Sequence, residues 1–319
     1  MIQRIPTPHY FRKQRNFAIK KYILGDKNMI KRNFKIVTDS ACDMSEEYYV
    51  EHDITCVRLG FNMDNVDYEG EEGEKIDAPT FYQRLINGAM PTTYQITAEQ
   101  AKTNIEPIVK EGNDVLVITF SSGLSGTSGS FSVAARELSE IYPERKITVV
   151  DSLCASMGQG LFLHYAIKKA DEGASLEETA EYLERLKLHI CHFFTVNDLF
   201  HLKRGGRVSM TTAIVGSILK IKPVMHVDNN GKLVAIGKAM GRKKSLSEIV
   251  NRLFAESDMT EEDPIFISHG DCMEDVEYVK KLILERSPNT EIVVNYVGPV
   301  IGTHSGQGTV AIFCKGKKR

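Results

Sequence analysis

The sequence lacks several features that mark particular classes of protein. It has no apolar run long enough to cross a bilayer and no hydrophobic stretch near its N-terminus of the kind that directs secretion. Its six cysteines form no CxxC pair and have no histidine at metal-ligand spacing. We therefore expect a cytoplasmic protein with reduced, mostly buried thiols, no disulfide and no structural metal.

Two catalytic signatures are missing as well. No Gly-x-x-x-x-Gly-Lys-Ser/Thr loop occurs, so the chain has no P-loop with which to hold the phosphates of ATP. No Gly-x-Ser-x-Gly elbow surrounds the most conspicuous serine, Ser125, because Gly126 follows it directly. These absences disfavour a P-loop kinase and an ordinary α/β-hydrolase.

Charge is distributed unevenly along the 319 residues. Residues 1–33 carry nine basic side chains and one acid, which leaves 31 basic and 41 acidic residues, a net charge of −10, in the remainder. An acidic body repels nucleic acid and anionic lipid surfaces, so we expect no nucleic-acid partner and leave only transient membrane contact open. We expect residues 1–33 to be a disordered basic extension, with a docking arm as the alternative.

From Phe34 onward, strand-like and helix-like segments alternate. This order predicts an α/β fold with right-handed crossovers and a parallel sheet in a first domain, residues 34–187. After residue 187 this alternating pattern changes, and the Asn-Gly within Asp228–Gly231 is a strong hairpin signal. Residues 188–319 are therefore predicted to form a second, smaller α/β domain with a mixed sheet.

One turn rich in glycine and hydroxyl groups, Thr119–Thr127, directly follows the apolar run Val115–Ile118. Backbone N–H groups and hydroxyls delivered to the carboxyl end of a parallel strand suit an anion, although a plain helix cap would look the same. Similar polar turns occur elsewhere, and a basic one contains a pair of glycines. They are Asp39-Ser40, Thr92–Gln95, Lys203–Arg207 and Gly302–Gly308.

Taken together and in order, these motifs resemble the DegV family over nearly the whole chain from Phe34. The resemblance implies a DegV-like fold and the role of its FakB-type members. Such proteins bind a long-chain fatty acid and present its carboxylate to a separate ATP-dependent fatty acid kinase, which forms acyl phosphate for phospholipid synthesis. The matching segments are Ile36–Ser40, Thr93–Gln95, Ser121–Thr127, Val150–Ser152, Leu202–Ser209, Lys220–Pro223 and Gly298–Gly308.

The resemblance also implies roles for individual residues. By motif, Thr93, Ser125 and His304 would hold the carboxylate, while Arg207 and Arg242 would balance phosphate charge or contact the kinase, with solvated surface as the alternative for both. Two hydroxyls and an imidazole can donate to a carboxylate without masking it in a salt bridge. No covalent cofactor is implied, the ligand is the fatty acid itself, and the chemistry resides in the partner.

An apolar tunnel for the acyl chain would lie between the two domains. The small-residue segment Thr211–Leu219 is a candidate for part of its wall, with core packing as the alternative. The chain departs from the family pattern at Tyr94, Ile96 and Ser128, which bears on the mouth of the pocket and on the choice of acyl chain.

Two other functions remain open on the residues alone. In one, Ser125 is the nucleophile of a hydrolase acting on a small ester or acyl substrate, His304 is its base and Asp39 orients the histidine. In the other, the chain is an interaction module with a vestigial pocket.

Overall fold

The computed structural model describes residues 32–70, 72–197, 199–208 and 221–319. Residues 1–31 of the predicted extension and the segment Thr211–Leu219 therefore lie outside the described residues. The strands are β1 (Phe34–Asp39), β2 (Ile54–Val57), β3 (Gly60–Met63), β4 (Val66–Glu69), β5 (Thr92–Tyr94), β6 (Asp114–Thr119), β7 (Ile147–Asp151), β8 (Ile190–Thr195), β9 (Ile221–Val227), β10 (Leu233–Met240), β11 (Ile265–His269), β12 (Ile292–Tyr296) and β13 (Val310–Lys315). The helices are α1 (Glu46–Glu51), α2 (Ala78–Ile86), α3 (Ala98–Lys110), α4 (Thr127–Ile141), α5 (Met157–Asp171), α6 (Leu176–Leu186), α7 (Phe200–Arg204), α8 (Arg242–Glu256), α9 (Met273–Leu284) and α10 (Pro299–Ser305).

Strands β2, β1, β6 and β7 form a four-stranded sheet in that order, and all of its pairs are parallel. Its central strand β1 pairs with both neighbours, so that Ile36 lies between Ile54 and Leu116. The α/β fold with a parallel first sheet is therefore confirmed. Both β1 and β6 end at the same edge, which brings the turn after Thr119 beside Asp39.

The second sheet has six strands in the order β10-β9-β8-β13-β11-β12. Only β11 and β12 pair in parallel, so the mixed sheet is also confirmed. Its residues alternate between two buried faces, as the two-residue period of a strand requires. Along β13, Val310 and Ile312 face α8 and α9, whereas Ala311 and Phe313 face the other way, toward α5.

Local sequence signals place several helix starts correctly. Asp77 accepts from the Thr80 amide and a proline follows it in the first turn of α2. The segment Ser175–Glu178 has the sequence of a capping box, and Ser175 and Glu178 do form one at the start of α6. The sequence predicts helices over residues 158–172 and 175–187, and α5 and α6 begin and end within one residue of these positions.

Two predicted turns are in fact parts of regular elements. Thr92–Tyr94 forms the edge strand β5, which pairs with β3 in a small sheet ordered β4-β3-β5. Gly298–Gly308 contains α10, which Pro299 favours because its fixed φ suits the first turn of a helix. These corrections matter because Thr93 and His304 are thereby held on β5 and α10.

Helix α5 packs against β8, β11 and β13 of the second sheet, although it precedes the predicted domain boundary. One hydrophobic cluster consequently runs from β1 through α5 to β13. Arg32, at the end of the predicted extension, donates from Nε to Asp171 Oδ1 at 2.6 Å and so fastens the chain to the last residue of α5. Within the part of the chain that the structure describes, no helix is both long and apolar enough to span a bilayer.

Candidate functional site

A cavity of about 390 Å³ lies between the carboxyl edge of the parallel sheet and the α5-facing side of the mixed sheet. Its wall is largely apolar and is built by residues from both halves of the chain. A volume of this size suits an elongated or drug-sized ligand. Among the apolar side chains of the wall are Leu59, Phe120, Phe194, Val227, Ala311 and Phe313.

Thr93, Ser125 and His304 all line this cavity. Thr93 lies on β5, and its Oγ1 is 2.8 Å from Nε2 of His304, in the last turn of α10. The two residues are 211 positions apart in the sequence. The fold therefore brings the three residues that were singled out from separate motifs to one cavity.

Ser125 lies in the turn between β6 and α4. Its Oγ accepts from the Thr127 amide at 3.3 Å and lies 3.0 Å from Thr127 Oγ1. Gly126, at the N-cap position of α4, offers no side-chain cap, so the Ser125 hydroxyl satisfies one of the first helical amides. The capping interpretation is therefore correct, and the site interpretation stays a prediction that is compatible with it, because Ser125 also lines the cavity.

Two hydrogen bonds from the second half of the chain hold the turn that carries Ser125. Ser121 Oγ donates to the Gly231 carbonyl of the β9–β10 hairpin at 2.8 Å. In a second contact, Arg207 Nε donates to the Leu124 carbonyl at 3.3 Å. Contacts from the second half of the chain therefore fix the position of Ser125.

His304 is neutral in this environment. Burial lowers its pKa to about 4, and the positive charges of Arg207 and Arg204 act in the same direction. Among the described residues, its Nδ1 has no hydrogen-bond partner. That nitrogen faces Gly205, where an added Cβ would lie only 2.1 Å from it, so glycine is required there for the ring to keep its place.

Two arginines of the Lys203–Arg207 motif serve the site differently. Arg207 is half-buried and lines the cavity, and this burial lowers the pKa of its guanidinium. Arg204 donates to the carbonyls of Pro91 at 3.0 Å and Thr303 at 3.2 Å, which ties the entry to β5 to helix α10. Arg204 was not singled out in the sequence, although its basic motif was.

Arg242 does not line the cavity. It begins α8, donates from Nε to Asp275 Oδ2 at 2.9 Å and also donates to the Gly308 carbonyl. Its interactions thus stabilise the turn that follows α10 from outside. The role suggested for Arg207 and Arg242, in phosphate or partner contact, stays a prediction.

Asp39 is fully buried and does not hydrogen-bond to His304. Its carboxylate accepts from the amides of Phe120 at 2.7 Å and Ala41 at 3.1 Å. Burial raises its pKa to about 6 despite these bonds. Asp39 therefore ties the ends of β1 and β6 together, and the described residues do not assemble the hydrolase relay through Asp39.

The departures from the family pattern separate into two kinds. Tyr94 lines the cavity and packs its ring over Gly60, while remaining 40% exposed. Ile96 and Ser128 are buried and do not line the cavity. Only Tyr94 is therefore placed to shape its opening.

Two serines and a histidine are among the polar residues of the wall that were missed in the sequence. His192 lies on β8, Ser156 precedes α5 and Ser268 lies on β11. No motif distinguishes them, and Ser156 looks like a simple helix cap.

All six cysteines are free thiols. Across the described ranges, no group of three or more His, Cys, Asp or Glu side chains could hold a metal ion.

Comparison with known proteins gives consistent matches. A family model, described as uncharacterised proteins of the DegV family, matches residues 33–317. A DegV domain-containing protein of Clostridium perfringens is 41% identical over 285 residues, which is 89% of this chain and 98% of the relative.

Solved structures match over the same region. A DegV family protein from Thermus thermophilus, described as binding fatty acid, has a TM-score of 0.80 at 31% identity and covers 89% of this chain and 99% of its own. A stearic acid-binding protein from Eubacterium ventriosum has a TM-score of 0.79 at 26% identity, with coverage of 89% and 98%. DegV of Bacillus subtilis, described as a fatty acid binding protein, has a TM-score of 0.76 at 30% identity, with coverage of 89% and 100%.

Proposed function

Because the chain belongs to the DegV family, we propose that it binds a long-chain fatty acid in the cavity and presents the carboxylate to a separate ATP-dependent fatty acid kinase. The kinase forms acyl phosphate, which supplies phospholipid synthesis. One observation carries the proposal: a mostly apolar cavity is lined at the same time by Thr93, Ser125 and His304.

The three polar residues suit a carboxylate that must stay reactive. Each hydroxyl can donate one hydrogen bond, and the neutral imidazole can donate one from Nε2. An arginine clamp would bind the carboxylate harder and mask the oxygen that attacks ATP. Since a bound anion favours the protonated form of a nearby base, fatty acid binding should raise the pKa of His304 from its value of about 4.

The apolar wall supplies most of the affinity. Burial of about fifteen methylenes at about 0.8 kcal/mol each contributes on the order of 12 kcal/mol before the entropy costs of binding. A head-group hydrogen bond contributes about 1 kcal/mol net. Affinity therefore comes from the tail, whereas the head group sets the position of the reacting oxygen.

The phosphate donor and its chemistry belong to the partner. Arg207 lines the cavity beside the Ser125 turn, where its charge would meet the phosphate as it is transferred. Arg242 lies outside the cavity and would contact the partner there, in competition with its ion pair to Asp275.

The hydrolase has no comparable support. In a catalytic triad the histidine Nδ1 donates to a buried carboxylate that orients the ring. Here Nδ1 of His304 faces Gly205 without a partner among the described residues, and Asp39 is engaged with two backbone amides. An unoriented histidine is a poor general base for Ser125.

The experiment is extraction of the purified protein with organic solvent, followed by mass spectrometry. We expect close to one long-chain fatty acid per chain. Delipidated protein reloaded with stearate should then support acyl phosphate formation by a fatty acid kinase and ATP. Absence of lipid together with failure to bind added stearate would refute the proposal. Hydrolysis of a chromogenic ester that is lost in Ser125→Ala would favour the hydrolase instead.

A further inference from the structure

Three polar side chains form a hydrogen-bonded chain that ends at the cavity wall. Ser156 Oγ donates to Asp43 Oδ2 at 2.5 Å, and Ser268 Oγ lies 2.8 Å from Ser156 Oγ. Ser156 and Ser268 line the same cavity as the proposed carboxylate site. We refer to these three residues as the serine relay.

The two serines stand where a purely hydrocarbon ligand offers them nothing. Ser268 lies directly opposite Ala311 in the mixed sheet, and Ala311 in turn lies opposite Phe194, so its hydroxyl is set among apolar wall residues. Ser156 precedes α5 but does not cap it with its hydroxyl, which is turned to Asp43 and Ser268 instead.

The direction of the hydrogen bonds follows from the chemistry of the carboxylate. An ionised Asp43 can only accept, so Ser156 uses its single proton to donate to it. The Ser156 oxygen can then only accept, so the Ser268 hydroxyl donates its single proton to Ser156. Ser268 Oγ keeps its lone pairs, and it therefore presents an acceptor to the cavity.

The neighbouring histidine does not supply a donor for this acceptor. His192 also lines the cavity, but its Nδ1 lies 2.9 Å from the Ile190 carbonyl and its Nε2 accepts from the Ala155 amide at 3.2 Å. Both ring nitrogens are thus used by the backbone. The acceptor on Ser268 matches a ligand that brings its own O–H group.

We propose that the serine relay is a subsite for a hydroxyl group on the acyl chain, so that the protein takes hydroxylated long-chain fatty acids as well as plain ones. This inference rests on the proposed function. A hydroxyl group of the acyl chain that binds there donates to Ser268 Oγ. Elsewhere in an apolar tunnel, the same hydroxyl would lose its hydrogen bond.

The same polarity rejects a keto group. A ketone offers only an acceptor, and two acceptors cannot form a hydrogen bond. A polar group buried without a partner lowers affinity by about tenfold or more. Hydroxyl and keto chains with the same carbon skeleton should therefore be distinguished at one position of the chain.

The experiment measures dissociation constants of the delipidated full-length protein for stearate, a positional series of hydroxystearates and the matched ketostearates. The pH is kept above the Asp43 pKa of about 7, to which burial raises it, so that Asp43 is ionised. We expect one hydroxystearate, or two neighbouring isomers, to bind at least as tightly as stearate. The other hydroxystearates and every ketostearate should bind about tenfold more weakly.

Variants then test whether Ser268 is responsible. Ser268→Ala should reduce the affinity for the preferred hydroxystearate, relative to the affinity for stearate, by about tenfold. Ser268→Thr keeps the hydroxyl and should retain the preference. Ser139→Ala is the matched control, because that serine bonds to the Ala135 carbonyl within α4 and does not line the cavity.

The wild-type ligand series needs no variant to fold. The inference is overturned if all hydroxystearates are equally weak, if the matched ketostearate binds as well as the preferred isomer, or if Ser268→Ala keeps the preference. Failure of stearate itself to bind would overturn the proposed function with it, whereas stearate binding without a hydroxyl preference overturns this inference alone.

Discussion

Replacement of Thr93 by valine removes one hydroxyl from the proposed carboxylate site while nearly keeping the volume of the side chain. In the structure that hydroxyl lies 2.8 Å from His304 Nε2, and both residues line the cavity. The variant thus loses a donor to the carboxylate and the partner of His304, but it keeps the apolar wall.

The magnitude follows from the two parts of the ligand. One net hydrogen bond contributes about 1 kcal/mol, so we expect the dissociation constant for stearate to rise about fivefold. The tail contributes on the order of 12 kcal/mol before entropy costs, so the protein should still retain lipid during purification. Acyl phosphate formation with a kinase should fall further than lipid content, because the reacting oxygen is no longer held in place.

The assay compares extracted lipid per chain, stearate affinity after delipidation and acyl phosphate formed per minute. Thr179→Val in α6 is the control, because Thr179 is likewise β-branched, although fully buried, has no hydrogen-bond partner among the described residues, and does not line the cavity. Wild-type turnover in Thr93→Val, or complete loss of lipid, would refute the division between head-group position and tail affinity.

Three further predictions follow from the same geometry. Ser125→Ala should reduce acyl phosphate formation more than lipid content, with Ser139→Ala unchanged in both; equal effects of the two variants would contradict the role of Ser125. Gly205→Ala should displace the His304 ring, since its Cβ would lie 2.1 Å from Nδ1, and a titration that monitors the imidazole by NMR should show a pKa above about 4; an unmoved pKa would contradict this placement. Burial raises the pKa of Asp43 from 3.8 to about 7. The folded protein therefore holds this proton more tightly than the unfolded chain does, and its free energy of unfolding falls as the pH rises from about 4 to about 7. The free energy of unfolding of Asp43→Asn minus that of wild type should therefore increase by on the order of 2 kcal/mol from about pH 5 to about pH 8, as measured by urea denaturation. A difference that does not change with pH would contradict this prediction.

The sequence predicts the elements whose signals are local. Asp77 and Ser175 start their helices through side chains within three residues of the amides that they cap, so the signal and its effect lie in the same short segment. The alternation of such helices with apolar strands is sufficient to predict a parallel sheet. The second, mixed sheet follows from the hairpin signal at Asp228–Gly231.

Elements that form through contacts with distant parts of the chain cannot be predicted from local sequence signals. Strand β5 has three residues and no usable period, and it is a strand because Thr93 pairs with Phe61. Helix α5 belongs by sequence with the first sheet and packs on the second, because the cluster that it completes includes Phe266 and Phe313.

The candidate site divides along the same line. The motifs of Thr93, Ser125 and His304 stand out as polar segments rich in glycine or hydroxyl groups, and the structure brings them to one cavity. Ser156 and Ser268 carry no such signal, since they are isolated serines 112 positions apart whose hydroxyls meet only in the folded chain. Their role depends on the ionisation of Asp43, whose pKa is raised chiefly by its burial in the folded chain.

The most direct test of the central claim is a crystal structure of the protein with its bound lipid. We expect the acyl chain to fill the cavity between the two sheets. Its carboxylate oxygens should lie within about 3.2 Å of Thr93 Oγ1, Ser125 Oγ and His304 Nε2. A lipid bound elsewhere, or one whose carboxylate points away from these three residues, would contradict the account.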